Sequence, residues 1–205
     1  MTLAYSLLDV FADSPFQGVQ VPVVSLNGQA LSDEHKQALA SEFLQSETVF
    51  IDASSEAEPV SVFNSKGRCL FSAHTILAAS YVAYEQGLVI DKGKYSTLTF
   101  TQQKQVVECF IDKQENGPGA IQYSRTLAPT IDRYTPEIAQ LAALLNTEER
   151  HISFSKYSPM VVSVDRPVFV VPFTRPEHVI AASPNIERWS ELAGQVYTPQ
   201  IFLFS

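Results

Sequence analysis

The chain has 205 residues, of which 45% are hydrophobic and 18% charged, a composition typical of a globular protein with enough material for one or two cores. Its net charge is −8, and nine acidic residues against one lysine in residues 1–60 account for that excess. Because the chain has no basic stripe, we expect no nucleic-acid partner.

The first half of the chain alternates short predicted strands with two predicted helices. Ser32 is a suitable N-cap for the first helix, whose first turn carries Asp33 and Glu34, as the helix dipole prefers. The alternation around Leu98 and Phe100, followed by a second apolar run, predicts a β-hairpin. The predicted strands of this half are Leu3–Val10, Val19–Ser25, Val49–Ile51, Val60–Phe63, Tyr95–Thr101 and Val106–Asp112.

The segment from Arg68 to Gly87 predicts a buried helix. No charged residue lies between His74 and Glu85, and apolar side chains occupy every direction of the helical wheel. A helix without a polar face must be enclosed by other elements, so we expect a curved sheet to wrap around it. Ser72 is a suitable N-cap, and Gly87 suits the position just after the C-terminus.

The first turn of this helix predicts an anion-binding site. Its amide N–H groups have no partner within the helix and carry the positive end of the dipole, which favours a carboxylate or a phosphate. His74 lies in the same turn and can donate to the same anion. Taken alone, however, a single histidine in an apolar helix is more often a core residue that hydrogen-bonds a backbone carbonyl.

The turn-forming run Gly117-Pro118-Gly119 is the predicted domain boundary, which gives domains of residues 1–116 and 117–205. Two helices are predicted beyond it, beginning at Thr135-Pro136-Glu137 and at Ser183-Pro184. The predicted strands here are Ala120–Tyr123, Ile152–Ser155, Met160–Val164, Val168–Phe173 and Val196–Phe204. Neither helix is apolar all round, so this sheet has no buried helix of its own to wrap around. We expect a second copy of the chain to cover it in a homodimer.

The two cysteines do not form a recognisable metal-binding motif. Cys69 and Cys109 lack the spacing of a cysteine or cysteine–histidine metal site, so we expect no metal and two reduced thiols. No stretch resembles a signal peptide, and no apolar run is long enough to span a bilayer. We therefore predict a cytoplasmic protein that has no membrane partner.

Several motifs of the first half resemble those of a known family. The run Asp9–Gly18, DVFADSPFQG, is similar to the opening of the PhzF-like isomerases of phenazine biosynthesis, which have the diaminopimelate-epimerase-like fold. The segments that continue the match in order and spacing are Leu31–Glu34, Ala40–Phe43, Ser46–Phe50 and Phe71–Leu77, the last resembling the family's glycine–histidine motif. This resemblance implies an α+β fold in which a curved, mostly antiparallel sheet surrounds a central helix, once in each of two domains.

The resemblance also implies a cofactor-independent active site in the cleft between the domains. The family's catalytic glutamate matches Glu47, which would move a proton between carbon atoms of a small carboxylate-containing metabolite. A desolvated glutamate can hold and release a proton near neutral pH, which suits this role. By the same match, Ser72, Ala73, His74 and Thr75 are candidate substrate-binding residues. Without the resemblance, Glu47 would be read as an ordinary surface acid.

The chain departs from the family pattern at several positions. Val19-Gln20 replaces the usual Asn-Pro, Ala73 replaces the motif glycine, and Arg68 replaces an acidic residue. Ser72 stands where related epimerases have a reactive cysteine, and because serine is a far weaker nucleophile and base, two-thiol racemisation is excluded. The family's Asp-Pro-x-Thr-Gly-Ser-Ala motif has no counterpart, so we expect a chain truncated at its C-terminus, with an incomplete second domain that lacks its central helix.

Two functions stay open at this point. The first is a proton-shift isomerase with Glu47 as the proton shuttle, in which a partner chain completes the cleft. The second is a family member that has lost catalysis and serves as a small-molecule-binding or self-associating module.

Overall fold

The computed structural model describes residues 2–14, 16–55, 59–102, 105–115, 117–133, 135–164, 167–192 and 200–205. The chain divides into two compact units, Met1–Thr126 and Leu127–Ser205. Mostly antiparallel sheets and a few helices make up both units, so the α+β class predicted from the sequence is confirmed. Within the described ranges, no helix is long and apolar enough to cross a membrane.

Two sheets and two helices make up the described part of the first unit. Its strands are Ala4–Val10 (β1), Val19–Ser25 (β2), Thr48–Ile51 (β3), Val60–Asn64 (β4), Gly67–Cys69 (β5), Ile90–Asp91 (β6), Tyr95–Gln102 (β7), Gln105–Gln114 (β8) and Gly117–Ser124 (β9). Its helices are Asp33–Glu42 (α1) and Ala73–Glu85 (α2). The sheets have the strand orders β1-β2-β3-β4-β5 and β6-β7-β8-β9. Strands β2 and β3 pair in parallel, and the predicted β7–β8 hairpin is present.

Helix α2 is the core of the first unit. Ile76, Ala78, Ala79 and Val82 are at most 3% exposed, and they share one hydrophobic cluster with side chains of both sheets. Strands β1, β2, β3, β8 and β9 all contact this helix, and its alanines leave room for their close approach. The prediction of an apolar helix enclosed by its own sheet is therefore confirmed.

Helix α1 covers the opposite face of the five-stranded sheet. The hydroxyl of Ser32 accepts the backbone N–H of His35 at 3.3 Å, so the predicted N-cap is present. Ala40 packs in a second cluster with Phe50 and Phe63, which alternate along β3 and β4 with the residues that face α2. The central strands β2, β3 and β4 of this sheet are thus buried between two helices.

The first unit ends after Thr126, ten residues beyond the boundary predicted from the sequence. Gly117 and Pro118 open strand β9, which pairs with β8 as the last strand of the second sheet. Gly117 has a φ of +132°, a conformation that favours glycine, so the turn signal marks a connection between two strands of one sheet. The predicted limits, 1–116 and 117–205, therefore differ from the observed units by this strand.

The second unit is a four-stranded sheet with helices on one face. Its strands, in their order across the sheet, are Thr130–Asp132 (β10), Met160–Ser163 (β11), Pro167–Pro172 (β12) and Ile201–Phe204 (β13). Its helices are Ile138–Leu144 (α3), Pro176–Ala181 (α4) and Ile186–Leu192 (α5), with a 3₁₀ turn at Glu149–His151. Strand β13 pairs in parallel with β12, whereas the pairs β10–β11 and β11–β12 are antiparallel.

One face of this second sheet has an apolar cover of its own. Leu141 and Leu144 of α3 belong to a buried cluster with Phe169 and Val171 of β12, and Trp189 of α5 packs against that cluster. This cover concerns one face only, so the expectation that the second domain lacks a central helix stays a prediction. Helices α3, α4 and α5 all contribute side chains to the cover of this face.

The predicted strand Ile152–Ser155 forms only isolated bridges. Ser153 and Ser155 have φ angles of 68° and 54°, which an extended strand does not contain, so regular pairing stops here. The first residues of the predicted last strand, Val196–Phe204, lie outside the described part of the chain, and the described remainder is β13.

Candidate functional site

Glu47 and the start of helix α2 come together within the first unit. Nε2 of His74 lies 3.0 Å from Oε2 of Glu47. The Glu47 side chain is 12% exposed and that of His74 is 22% exposed, so both are largely desolvated. The structure therefore brings the predicted catalytic glutamate and the predicted histidine into direct contact.

Strand β3 determines the position of Glu47. The four residues Thr48–Ile51 are buried and pair with β2 on one side and with β4 on the other. Glu47 immediately precedes this central strand, so its backbone is fixed at the edge of the core. A carboxylate that sequence alone would place on the surface is held against the helix start instead.

Ser72 and Thr75 fix the first turn of α2. The backbone N–H of Ser72 donates to Oγ1 of Thr75 at 2.9 Å, and the Thr75 hydroxyl donates to the carbonyl of Ser72 at 3.0 Å. Thr75 is buried, and its side chain stabilises the first turn of α2 through these two hydrogen bonds. Of the four predicted substrate-binding residues, Ser72 and His74 present side chains to Glu47, and Ala73 offers a backbone amide.

The hydroxyl of Ser72 contacts both other polar side chains of the site. Its Oγ lies 2.5 Å from Oε2 of Glu47 and 3.2 Å from each ring nitrogen of His74. Because Nε2 of His74 also contacts Oε2 of Glu47, the three side chains form a triangle around one carboxylate oxygen. The sequence identified these residues separately, but the contact between Ser72 and Glu47 was not predicted.

The start of α2 favours negative charge at this triangle. The helix has 13 residues, and its first described backbone bond runs from the Ile76 N–H to the Ser72 carbonyl at 3.0 Å. The N–H groups of Ala73 and His74 precede that bond, where an α-helix supplies no internal acceptor. The positive end of the dipole therefore stabilises the Glu47 carboxylate or a ligand anion beside it.

Arg68, which replaces an acidic residue of the family pattern, pairs with helix α1. Its Nη2 lies 3.0 Å from Oδ1 and 3.1 Å from Oδ2 of Asp33, and its guanidinium stacks over the ring of Phe63 at 4.9 Å. Both charged side chains of this ion pair are exposed. The charge reversal at Arg68 is thus accommodated by a surface contact between β5 and α1.

The motif Asp9–Gly18 connects β1 to β2. Oδ2 of Asp9 accepts the backbone N–H of Phe16 at 2.7 Å, which holds the connection together. A Cβ on Gly18 would lie 2.6 Å from the carbonyl oxygen of Val10, so only glycine fits this close approach. Pro15 lies outside the described residues. These two contacts hold the connection between β1 and β2 in its conformation.

A cavity of about 660 Å³ lies beside α2. Its wall includes Leu77 and Tyr81 of α2 and Gly119 of β9, together with β1 and the turn that follows it. Burial raises the pKa of the Tyr81 phenol, which therefore stays protonated. Neither Glu47 nor His74 lines this cavity, and Leu77 follows His74 by three residues on the same helix.

The described histidine, cysteine and acidic side chains form no cluster of metal-binding size, and one of the two cysteines is buried. In those ranges, no group of three or more His, Cys, Asp and Glu side chains could hold a metal ion. Cys109 of β8 is fully buried, and burial raises the pKa of its thiol, so the reactive thiolate is disfavoured.

The family of the chain follows from its match to a family model. The model described as phenazine biosynthesis-like protein, PhzC-PhzF, matches residues 8–203. The chain belongs to the phenazine biosynthesis-like (PhzC-PhzF) family. The match runs through both units, so the resemblance first seen around Asp9–Gly18 and Phe71–Leu77 is confirmed.

Solved structures of PhzF-family proteins share the fold at low sequence identity. The Bacillus anthracis phenazine biosynthesis protein of the PhzF family is 20% identical, with a TM-score of 0.74 over 99% of this chain and 66% of that one. A predicted epimerase from Pseudomonas aeruginosa is 20% identical, with a TM-score of 0.69 over 98% of this chain and 69% of that one. An Enterococcus faecalis PhzF-family protein is 20% identical, with a TM-score of 0.61 over 92% of this chain and 64% of that one.

The chain therefore spans about two thirds of the length of these PhzF-family structures. At 20% identity, the likeness establishes the diaminopimelate-epimerase-like fold and leaves substrate and activity to be argued from the site. No curated protein gives a significant match to the chain.

Proposed function

We propose that this PhzF-family chain is a proton-shift isomerase, in which Glu47 moves a proton between carbon atoms of a small carboxylate-containing metabolite. The contact of 3.0 Å between Oε2 of Glu47 and Nε2 of His74 carries the proposal. A largely buried carboxylate beside an imidazole can take a proton from carbon and return it, and this chemistry requires no cofactor.

The start of α2 is the proposed binding site for the substrate carboxylate. The N–H groups of Ala73 and His74 and the helix dipole favour an anion at this position. A bound carboxylate would place a second negative charge near Glu47, and like charges disfavour the ionised form of a carboxyl group. The substrate would thereby increase the tendency of Glu47 to take up a proton.

The bases available at the site bear on whether the reaction is an epimerisation or a proton shift. Among the compared structures, one is described as a predicted epimerase, and inversion at carbon needs proton transfer on both faces of the substrate. Ser72 occupies the position at which a second, thiol-type base would be expected, and serine is a weak base. A single glutamate that removes and returns the proton on one face fits a proton shift better than an epimerisation.

Hydrogen exchange in heavy water tests this proposal. The chain is incubated in D₂O with four carboxylates that carry a C–H bond near the carboxylate: a dihydrobenzoate, proline, glutamate and diaminopimelate. Proton NMR is expected to show enzyme-dependent loss of such a C–H signal in at least one of them. Failure of all four to exchange above the rate without protein contradicts the proposal.

The second candidate function, a non-catalytic self-associating module, is favoured by the outer face of the second sheet. The strand register places seven apolar residues on the face opposite the core: Ile131, Met160, Val162, Val168, Val170, Phe202 and Phe204. Ile131 and Phe202 are 59% and 58% exposed, and the described core cluster includes none of the seven. A contiguous apolar sheet face is suited to packing against a second copy, as in a sheet sandwich.

Sedimentation velocity tests this self-association. At micromolar concentration the chain is expected to form a homodimer, and Phe202→Glu is expected to convert it to a monomer by placing a charge on the apolar face. Ile90→Glu is the matched control, because Ile90 is 62% exposed on β6 of the first unit. A chain that stays monomeric at tens of micromolar, or a Phe202→Glu variant that still dimerises, contradicts the proposed interface.

A further inference from the structure

The shortest contact of the candidate site belongs to Ser72. Its Oγ lies 2.5 Å from Oε2 of Glu47, a separation typical of a hydroxyl that donates to an ionised carboxylate. Its contacts to the ring nitrogens of His74, at 3.2 Å, and to Oγ1 of Thr75, at 3.1 Å, are longer. A hydroxyl has one proton to donate, and the short contact assigns that proton to Glu47.

The neighbouring donors are consistent with this assignment. The Thr75 hydroxyl donates its own proton to the Ser72 carbonyl at 3.0 Å, so the Ser72 proton is not required there. Nε2 of His74 lies within reach of both Oε2 of Glu47 and Oγ of Ser72, so an N–H at that position can serve either acceptor. The Ser72 hydroxyl thus links the N-cap position of α2 to the Glu47 carboxylate.

We propose that Ser72 is a positioning residue for Glu47, whose hydroxyl anchors Oε2 at the start of α2 and fixes the direction in which the carboxylate meets a substrate. This inference rests on the proposed role of Glu47 and replaces the substrate-binding role that the sequence suggested for Ser72. An unanchored carboxylate rotates about its side-chain torsions. Anchoring one oxygen removes that freedom before the substrate arrives, which is a recognised source of rate enhancement.

The same hydrogen bond has an electrostatic consequence that can be measured without a substrate. A hydrogen bond donated to a carboxylate stabilises its ionised form. Removal of the hydroxyl in Ser72→Ala is therefore expected to move the proton uptake of Glu47 to higher pH. At the lower end of its usual strength, a hydrogen bond to a charged group corresponds to a shift of about one pH unit.

Carbon-13 NMR of the Glu47 side-chain carboxyl in the full chain tests the proposal. The protein is labelled with carbon-13 glutamate, and the Glu47 signal is assigned by its loss in Glu47→Gln. Ser72→Ala is expected to raise the titration midpoint of this signal by about one pH unit, and Ser72→Thr, which keeps a hydroxyl, is expected to restore it. Ser32→Ala is the matched control, because it removes the N-cap hydroxyl of α1 and is expected to leave the midpoint unchanged.

An unchanged midpoint in Ser72→Ala, or an equal shift in Ser72→Thr, overturns the positioning role. If Ser72→Ala does not fold, Ser72→Gly takes its place, because glycine is tolerated at an N-cap. The titration involves no turnover, so its failure is distinct from failure of the heavy-water assay.

On any probe that exchanges, Ser72→Ala is expected to lower kcat about tenfold with KM unchanged, whereas a raised KM at constant kcat would assign Ser72 to substrate binding.

Discussion

Replacing Glu47 with glutamine is expected to lower the rate of carbon-bound proton exchange by about 10²–10⁴-fold, the usual contribution of a general acid–base group. Glutamine has nearly the same size and retains an oxygen that can accept the Ser72 hydroxyl, so the start of α2 is expected to keep its structure. The amide cannot take up a proton at neutral pH, so the chemical step is lost while binding at the helix start is retained.

A matched control for this variant is Glu42→Gln. Glu42 is the last residue of α1, is exposed, and lies five residues before Glu47 in the sequence. Exchange is followed by proton NMR in D₂O, and thermal melting by circular dichroism checks that both variants fold. Exchange that is undiminished in Glu47→Gln, or equally reduced in Glu42→Gln, would locate the reacting base elsewhere.

The first unit could be predicted in detail because its signals are local. The strand Val19–Ser25 has the predicted bounds, and α2 begins after Ser72 as its capping residue indicates. Gly87 lies just after the C-terminus of α2 and has a φ of +70°. Helices often end with a residue in this left-handed conformation, which glycine adopts most easily. In each case a few neighbouring residues determine the element, and the apolar wheel of α2 then requires that the strands surround it.

The second unit was predicted less well because several of its elements depend on tertiary contacts. Helix α4, Pro176–Ala181, has six residues, too few for an apolar periodicity to be recognised. Strand β10, Thr130–Asp132, is exposed throughout and is defined by its pairing with β11. Glu137 is the N-cap of α3, two residues beyond the predicted cap at Thr135, because proline at 136 also fits an extended segment.

Only part of the candidate site could be predicted from the sequence. Glu47 and Ser72 are 25 residues apart, and no spacing rule connects a residue before a strand to the cap of a later helix. The family resemblance identified Glu47, and capping preference identified Ser72. Their contact depends on strand β3 and helix α2 packing together in the core, which only the folded chain shows.

Replacing Ile76 with alanine is expected to lower the free energy of unfolding of the first unit by about 2–5 kcal/mol, the cost of truncating a buried isoleucine. Ile76 is 1% exposed and lies in the cluster where both sheets meet α2. Its N–H also makes the first described backbone bond of the helix, to Ser72. A cavity at this position is therefore expected to loosen the helix turn that presents Ser72 and His74 to Glu47.

The matched control is Ile90→Ala, the same truncation in the same unit at a residue that is 62% exposed, with an expected cost below about 0.5 kcal/mol. Urea unfolding followed by far-ultraviolet circular dichroism gives the stability of the chain, and fluorescence of Trp189, its single tryptophan, reports on the second unit. Ile76→Ala should lower the circular-dichroism midpoint and leave the Trp189 transition in place. An Ile76→Ala variant no less stable than Ile90→Ala would mean that α2 is not the core of the first unit, and the placement of Ser72 and His74 beside Glu47 would lose its physical basis.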